Sequence, residues 1–464
     1  MVKKSPLNAL SADLCLRYSM KICAYVQEQY AKTAYKKECL DTRQFAGLKV
    51  IIDSLERTGH SVEYAGIATV HEYDIVLVSL TSDCDWWTFV KERVRWRKGN
   101  YKVIVGGAGV LHVTPFLRWF DFAVIGRGEH IMTPLIDGIE RDGGYDHESV
   151  IDVRTFSPDK IYRVAQTDCM YPHRIQLTDK KEYIERAIGC NHKCFFCGYT
   201  WQRKFISSLG DVYKMPGGLF DGMEDKERAM LDMINGKEEI DWAHLRTTAI
   251  DGFSERLRKM VNKPITRENL RQFLNAMLNY SGKPHQIKFF NICGYPSETE
   301  DDWREFAEDI RLADDIAEKR EKQWSIVLHN TPFRAMPATP MACAPMAKRN
   351  FRGEISRTIG NGLKGNLIYQ GKSLWSVESS GTEGLPTVML SALAHRGSEN
   401  DSENIERLCR APKFWRASNA EKEAVLTKLF DMDKLFGGFT PADLPSRYLR
   451  TYAQVERLWT RKYE

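Results

Sequence analysis

Three cysteines, Cys190, Cys194 and Cys197, stand in the segment IERAIGCNHKCFFCGYTW with the spacing C-x3-C-x2-C. Thiolates are ligands for iron and zinc, and most protein-bound iron–sulfur clusters take four of them. Three thiolates at this tight spacing fill three corners of a [4Fe–4S] cluster and leave one iron without a protein ligand. An open coordination position separates a catalytic metal site from a structural one. The spacing therefore predicts a cluster on Cys190, Cys194 and Cys197 whose fourth iron can take another ligand. The competing explanations are a zinc site and a chance grouping of core cysteines. A closed zinc site needs a fourth ligand. His192 is near but lies inside the first loop, and no second C-x2-C pair completes a zinc ribbon.

The elements that must hold this loop follow from the hydrophobic pattern. The cysteines come directly after a strand expected over 183–189. Further strands are expected over 212–215, 245–250, 287–293 and 325–330, with helices over 267–279 and 300–314. This alternation suits a partial (β/α) barrel with its site at the strand carboxyl ends. Ahead of it lie an apolar run at 21–26, strands at 61–65, 73–80, 102–105 and 122–125, and helices at 44–58, 86–97 and 131–139. Strands alternating with helices give a doubly wound parallel sheet. Gly106-Gly107-Ala108-Gly109 and Gly126-Arg127-Gly128-Glu129 follow strands and mark the carboxyl edge where such sheets bind ligands. The same glycines also suit tight turns and helix–sheet packing. No G-x-G-x-x-G with a suitably placed acidic residue is present, so a nicotinamide site is not expected.

The predicted fold class is α/β: a doubly wound domain over 1–142, a polar linker over 143–181, a partial barrel over 182–345, and a mixed, mainly helical region over 346–464. That last region is expected to carry a hairpin at 367–377 and helices at 402–409, 420–430 and 446–461. A chain of 464 residues with 43% hydrophobic and 28% charged residues is ordinary for a globular protein of two or three domains. The formal net charge of +5 permits an anionic partner without demanding one. Eleven cysteines, an odd number and mostly scattered singly, do not read as a secreted disulfide framework. No apolar stretch has membrane-spanning length and the start lacks a secretory pattern, so the chain is expected to be cytoplasmic, with no membrane partner.

The cysteine motif, with the aromatic Phe196 before its last cysteine, resembles the signature of the radical S-adenosylmethionine (radical SAM) superfamily. CGYPSETE at 293–300 resembles the G-x-P-G-E-T-x-E segment of the branch that carries an N-terminal cobalamin-binding-type, Rossmann-like domain. DGFSERLRKMVNKPIT at 251–266 resembles that branch's G-S-E-R-L-R…N-K-x-I-T segment, and PFRAMPATP at 332–340 its F-x-P-x-P-x-T-P turn. The glycine-ended strands of 73–129 resemble its N-terminal domain, so the similarity spans most of 20–345. The resemblance implies that S-adenosylmethionine binds the open iron through its amino and carboxylate groups. Reductive cleavage would then give a 5′-deoxyadenosyl radical, fed by an electron donor such as flavodoxin or ferredoxin. It also implies Phe196, Ser254, Glu255, Arg256, Gly294 and Pro296 as cofactor-binding residues. The Gly294-Tyr295-Pro296 turn would let backbone approach the adenosine closely, and Ser254, Glu255 and Arg256 offer hydroxyl, carboxylate and guanidinium groups. Glu255 and Arg256 equally suit a solvated helix face, and Glu298 and Glu300 suit a helix N-terminus.

The sequence also departs from that branch. Its cobalamin-ligand motif D-x-H-x-x-G is absent, and His60, His71 and His112 are not so arranged. Cobalamin is therefore not expected, although some relatives bind it without a histidine. The stretch from Cys197 to Leu245 is short, and no second cysteine cluster is present. Two stretches interleave basic and aromatic residues: 91–98 with Trp96, and Arg447, Arg450, Arg457, Trp459, Arg461 and Lys462. Such residues can track phosphates and stack bases, and they equally suit the basic faces of ordinary helices. They point to a nucleobase or nucleic-acid-linked substrate, undergoing C–H functionalisation or rearrangement in DNA or RNA modification. The alternatives are a cobalamin-dependent radical methyltransferase acting on a small molecule or peptide, and a non-enzymatic iron–sulfur or zinc protein. No catalytic residue beyond the cluster ligands is assigned by the sequence.

Overall fold

The early apolar runs become the strands of one sheet. The computed structural model describes residues 20–27, 46–178, 181–183, 185, 187–190, 192–207, 247–263, 265–279, 286–319, 324–349, 351–362, 368–369, 372–373, 375–380 and 384–449. In it β1 (Ile22–Tyr25), β2 (Val62–Ala65), β3 (Ile75–Ser79), β4 (Lys102–Gly106) and β5 (Phe122–Val124) are parallel, in the order β2-β1-β3-β4-β5. Helices α1 (Ala46–Arg57), α2 (Asp83–Arg93) and α3 (Met132–Asp142) belong to the same unit. Strands β1 and β3 are buried along nearly their whole length, as expected of a parallel sheet covered on both faces. Successive residues serve opposite cores. Ile22, Ala24, Ile75 and Leu77 pack with Leu55 and Leu135, whereas Cys23, Tyr25, Val76 and Val78 pack with Trp86 and Phe89.

Two local departures have physical causes. Helix α2 starts three residues before the expected 86 because Ser82 and Asp85 form a capping box at its first turn. Within 143–181, β6 (Val150–Asp152) joins the sheet antiparallel to β5, burying Val150 and Ile151 against the edge. Gly143, at φ +72°, ends α3 and lets the chain double back.

The strand expected over 183–189 divides. A hairpin of β7 (Ile175–Thr178) and β8 (Lys181–Tyr183) comes first, and β9 (Ala187–Ile188) pairs antiparallel with β10 (Ile206–Ser207). The cysteine loop and the short helix α4 (Gly198–Trp201) lie between β9 and β10. The strand expected at 212–215 lies outside the described residues. The barrel region supplies β11 (Thr247–Ala249), β12 (Gln286–Cys293) and β13 (Trp324–Pro332), with α5 (Glu255–Met260), α6 (Arg267–Asn279) and α7 (Glu300–Lys319). Beyond α8 (Arg352–Gly362) a small hairpin of β14 (Ile368–Tyr369) and β15 (Lys372–Ser373) precedes β16 (Trp375–Ser380). That last strand pairs parallel with β13, so the described barrel strands run β11-β12-β13-β16, all parallel.

One core joins the three regions: Trp86 and Phe116, Leu257, Tyr295 and Phe333, and Val388 and Leu393 of α9 (Leu385–Arg396) share it. Arg396, also buried, donates to the carbonyls of Ala342, Ala344, Leu435 and Gly437 and ties the turn after β13 to the last helices. Among the described residues no helix is long and apolar enough to cross a membrane.

Candidate active site

The cysteine loop is pinned by its own flanks. Gly189 enters it at φ +76°, and a Cβ there would stand 2.9 Å from the Lys204 carbonyl oxygen, so only glycine fits. Its N–H donates to Tyr199 Oη at 3.2 Å. Thr200 Oγ1 donates to the Cys190 carbonyl and Trp201 Nε1 to the Cys194 carbonyl, both at 2.8 Å, while Lys193 Nζ reaches the Thr200 carbonyl at 3.0 Å. The GYTW helix thus closes the loop that precedes it. Cys194 is buried, Cys190 and Cys197 are partly exposed, and none of the three is in a disulfide.

The barrel holds the loop from the other side. Phe195 N–H donates to the Val261 carbonyl at 2.9 Å, and Met341 N–H to the Phe195 carbonyl at 3.2 Å. Asn262, in the left-handed region at φ +59°, donates Nδ2 to the carbonyls of His192 and Lys193 at 3.1 and 3.0 Å. Asn262 is therefore a brace for the cysteine loop.

The carboxyl ends of β11, β12 and β13 meet beside this loop. Tyr295 is buried and donates its hydroxyl to the Asp251 carbonyl at 2.9 Å. Burial drives its pKa well above the ordinary tyrosine value, with the nearby Asp251, Glu298, Cys194 and Cys293 adding to the rise. Asp251 and Lys263 form a buried ion pair at 3.2 Å. Gly294 has φ +81°, and a Cβ there would come within 3.1 Å of the Ala347 Cβ. Glu298 shapes this turn: Oε2 accepts from the N–H groups of Gly294 (2.6 Å) and Tyr295 (3.1 Å), and Oε1 from Trp303 Nε1 (2.6 Å). Burial raises its pKa to about 7 although those donors oppose the shift. The sequence reading gave Glu298 a generic place at a helix start; the structure makes it the clamp of the Gly294–Pro296 turn.

The residues expected to bind cofactor divide into two groups. Gly294 is buried on the site side, and Phe196 packs half-buried against the shared core. Ser254, Glu255 and Arg256 lie on the outer side of the turn. Ser254 caps α5 and donates to Asp302. Arg256 pairs with Asp302 at 2.5 Å and donates to the Ser297 carbonyl at 2.8 Å. Glu255 accepts from Arg267 N–H and pairs with Lys259, both locally, and Pro296 is exposed. In the stretch 91–98, Trp96 is taken up by the core against Tyr25, ring centroids 4.5 Å apart, and Glu92 is buried as the acceptor of Tyr25 Oη. Trp96 therefore offers no face to a base. Of the second basic stretch, Arg450 onward lies outside the described residues.

A polar junction the sequence did not suggest joins the sheet edges of the two α/β regions. Asp83, opening α2, accepts from Arg334 after β13 at 3.2 Å and from Ser391 of α9, with His395 Nε2 4.0 Å away. Burial lowers the His395 pKa to about 4, against the pull of Asp83.

Beside the loop, at the carboxyl edge of the N-terminal sheet, is a mainly apolar cavity of about 430 Å³. Leu77, Ile104 and Val124 line it from the strands, and Ile188, Tyr199 and Arg203 from the flanks of the cysteine loop. Gly107 and Gly126, at φ +103° and +94°, are needed here for internal packing. Cβ atoms there would meet the carbonyl oxygens of Leu80 at 2.4 Å and Ala165 at 2.5 Å.

No family model matches the chain, and no curated protein matches it. Among solved structures, three of the cobalamin-dependent S-adenosylmethionine radical enzyme OxsB are similar to it. The apo form aligns at 11% identity with a TM-score of 0.27. The form with aqua-cobalamin and S-adenosylmethionine aligns at 10% and 0.24, and the form with aqua-cobalamin at 11% and 0.24. Each alignment covers 96% of this chain and 61% of the other, so the chain spans about three fifths of the length of those proteins. Values this low do not assign a function.

Proposed function

We propose that this chain is a radical SAM enzyme, with Cys190, Cys194 and Cys197 as the ligands of a [4Fe–4S] cluster. The observation that carries the proposal is the preformed loop: three thiols outside any disulfide, on one segment pinned by Thr200, Trp201, Val261 and Asn262, beside the carboxyl ends of β11–β13. Among the described residues no three His, Cys, Asp or Glu side chains converge on a single ion. A cubane cluster does not require such convergence, because each thiolate binds a different iron. When bound, the cluster would supply an electron to the sulfonium of S-adenosylmethionine and so a carbon radical able to take hydrogen from an unactivated C–H bond.

The chain's own residues would do the rest. The backbone at Gly294 and Tyr295, clamped by Glu298, would take the adenosine end. Ser254 and Arg256 would hold that turn through Asp302 and Ser297, acting as its support. Buried Phe195, Tyr295 and Phe333 would keep water from the reacting atoms. A protein electron donor of the flavodoxin or ferredoxin kind would reach the cluster where Cys190 and Cys197 are partly exposed. A nucleobase-linked substrate keeps support from the basic residues Arg95, Arg97 and Lys98, which are exposed, but not from Trp96.

A second reading, a cobalamin-dependent methyltransferase, draws on the cavity at the sheet edge, where open α/β sheets bind large cofactors. Among the described residues no histidine lines that cavity. The test is anaerobic reconstitution with iron and sulfide, then an assay for 5′-deoxyadenosine with and without added cobalamin. The first reading predicts 5′-deoxyadenosine in both; dependence on cobalamin would install the second, and none in either would remove both.

A further inference from the structure

The cavity at the sheet edge has walls of two kinds. Apolar side chains of the sheet and α1, including Ile51, Leu77, Ile104 and Val124, form one face. The opposite face comes from residues flanking the metal-ligand loop: Ile188, two before Cys190, and Tyr199, two after Cys197. Four charged side chains line it, and in three of them one arginine is shared between two carboxylates, a net charge of −1. Arg127 donates Nε to Glu129 at 2.5 Å and two nitrogens to Glu185 at 2.5 and 2.8 Å, and Glu185 also accepts from Tyr171 N–H at 2.6 Å. Arg203 stands apart. Its guanidinium lies 4.2 Å from the Tyr199 ring centroid and has no carboxylate partner among the described residues.

A guanidinium stays protonated in any protein setting. Held over a ring in a mainly apolar cavity, it favours an anion that arrives with its own apolar body, which displaces water from the walls as the charges pair. A volume of about 430 Å³ is in the range of small-molecule sites.

We propose that this cavity binds a small ligand with a flat apolar body and one carboxylate-, phosphate- or sulfonate-type group, the body against Leu77 and Ile104 and the anion on Arg203. Identifying that ligand as the enzyme's substrate rests on the radical SAM reading, because it would lie between the neighbours of Cys190 and Cys197; the binding itself does not.

The experiment uses full-length protein and two fluorescent probes, anionic 8-anilinonaphthalene-1-sulfonate and its neutral counterpart N-phenyl-1-naphthylamine. One equivalent of each should bind. Arg203→Gln should weaken the anionic probe on the order of tenfold or more and leave the neutral one unchanged. Ala108→Trp, at the exposed rim of the cavity, should weaken both. Cys194→Ala should bind both probes like the parent, so loss of the cluster reading leaves this site standing. Equal affinity of the anionic probe for parent and Arg203→Gln would overturn the proposal. So would stoichiometric displacement of both probes by hydroxocobalamin with an affinity indifferent to Arg203→Gln.

Discussion

The cysteine loop and the sheet-edge cavity lie side by side, but they are built by different means. The loop is held by named polar contacts: hydroxyl, indole and amide donors on the carbonyls of Cys190, Cys194, His192 and Lys193. The cavity is made of common aliphatic side chains and of glycines whose missing Cβ atoms make room for the protein's own backbone. Directional bonds preset the positions of side chains that act as ligands. An apolar cavity needs only shape and exclusion of water. Substitutions among the aliphatic lining residues should therefore change the cavity gradually, whereas substitutions in the loop, or at the cavity glycines Gly107 and Gly126, should act sharply.

The largest effect should come from Gly189→Val, which forces a Cβ against the Lys204 carbonyl in a backbone conformation L-residues avoid. Iron per chain after reconstitution should fall about tenfold or more, the consequence of a few kcal/mol of strain. Near-parental iron would show that the loop adapts, and the contrast with the cavity would weaken.

Gly294→Val should come next, with a different signature. The cluster should assemble, because this glycine touches Ala347 and Phe351 and not the loop. Affinity for S-adenosylmethionine, followed by cluster spectroscopy, should fall by about tenfold from strain at φ +81°. Unchanged affinity would remove this turn from the site.

Asn262→Ala removes two hydrogen bonds to the loop and places a less tolerant residue at positive φ, for a cost of about 1–3 kcal/mol. The expected readout is a lower iron content with broadened cluster spectra. Asn262→Gly, which relieves the backbone but not the lost bonds, should recover only part of it. Full recovery with glycine would reduce Asn262 to a turn residue.

The smallest effect concerns Glu298. Its pKa of about 7 exceeds the ordinary glutamate value near 4.5, so the folded state binds the proton more tightly than the unfolded one. The stability from that proton is fully present below about pH 4.5 and is lost as pH rises through 7. Relative to Glu298→Gln, the parent should lose roughly 1–3 kcal/mol between pH 5 and 8 in denaturant unfolding. A difference that stays flat over that window would mean that the three donors hold Glu298 ionised throughout.

The same contrast explains what could be read in advance. Four of the five parallel strands were legible because short apolar runs such as YDIVLVSL, or runs closed by a glycine such as KVIVGG, are distinctive in type and length; β1 was legible only as an apolar run. The cysteines were legible because thiols at short spacing have few other uses. Asn262, Thr200 and Trp201 were not, because each acts by donating to a backbone carbonyl, a role almost any polar residue can fill. The nearest signal was the Y-T-W run directly after Cys197-Gly198. Strand β6 was missed because two buried residues in a polar stretch give no periodicity. Trp96 misled because a basic neighbourhood says nothing about where the ring points, and the ring points into the core. Arg203 is a single arginine two residues after Trp201; only its lack of a carboxylate partner among the described residues, visible in three dimensions, sets it apart. The shared core also makes deletion of the N-terminal domain a poor test of its role, since Tyr295, Phe333 and Leu393 would lose packing with it.

In the proposed radical SAM reading the three loop thiols, and no others, hold an iron–sulfur cluster. Iron and sulfide per chain should be measured after anaerobic reconstitution of the parent, Cys194→Ala and Cys293→Ala. Cys293 is buried at the end of β12, close to Tyr295, and is the nearest rival by sequence motif. About four irons are expected in the parent and in Cys293→Ala, and little in Cys194→Ala, since four irons make up the cluster. A cluster retained by Cys194→Ala and lost by Cys293→Ala would contradict that reading.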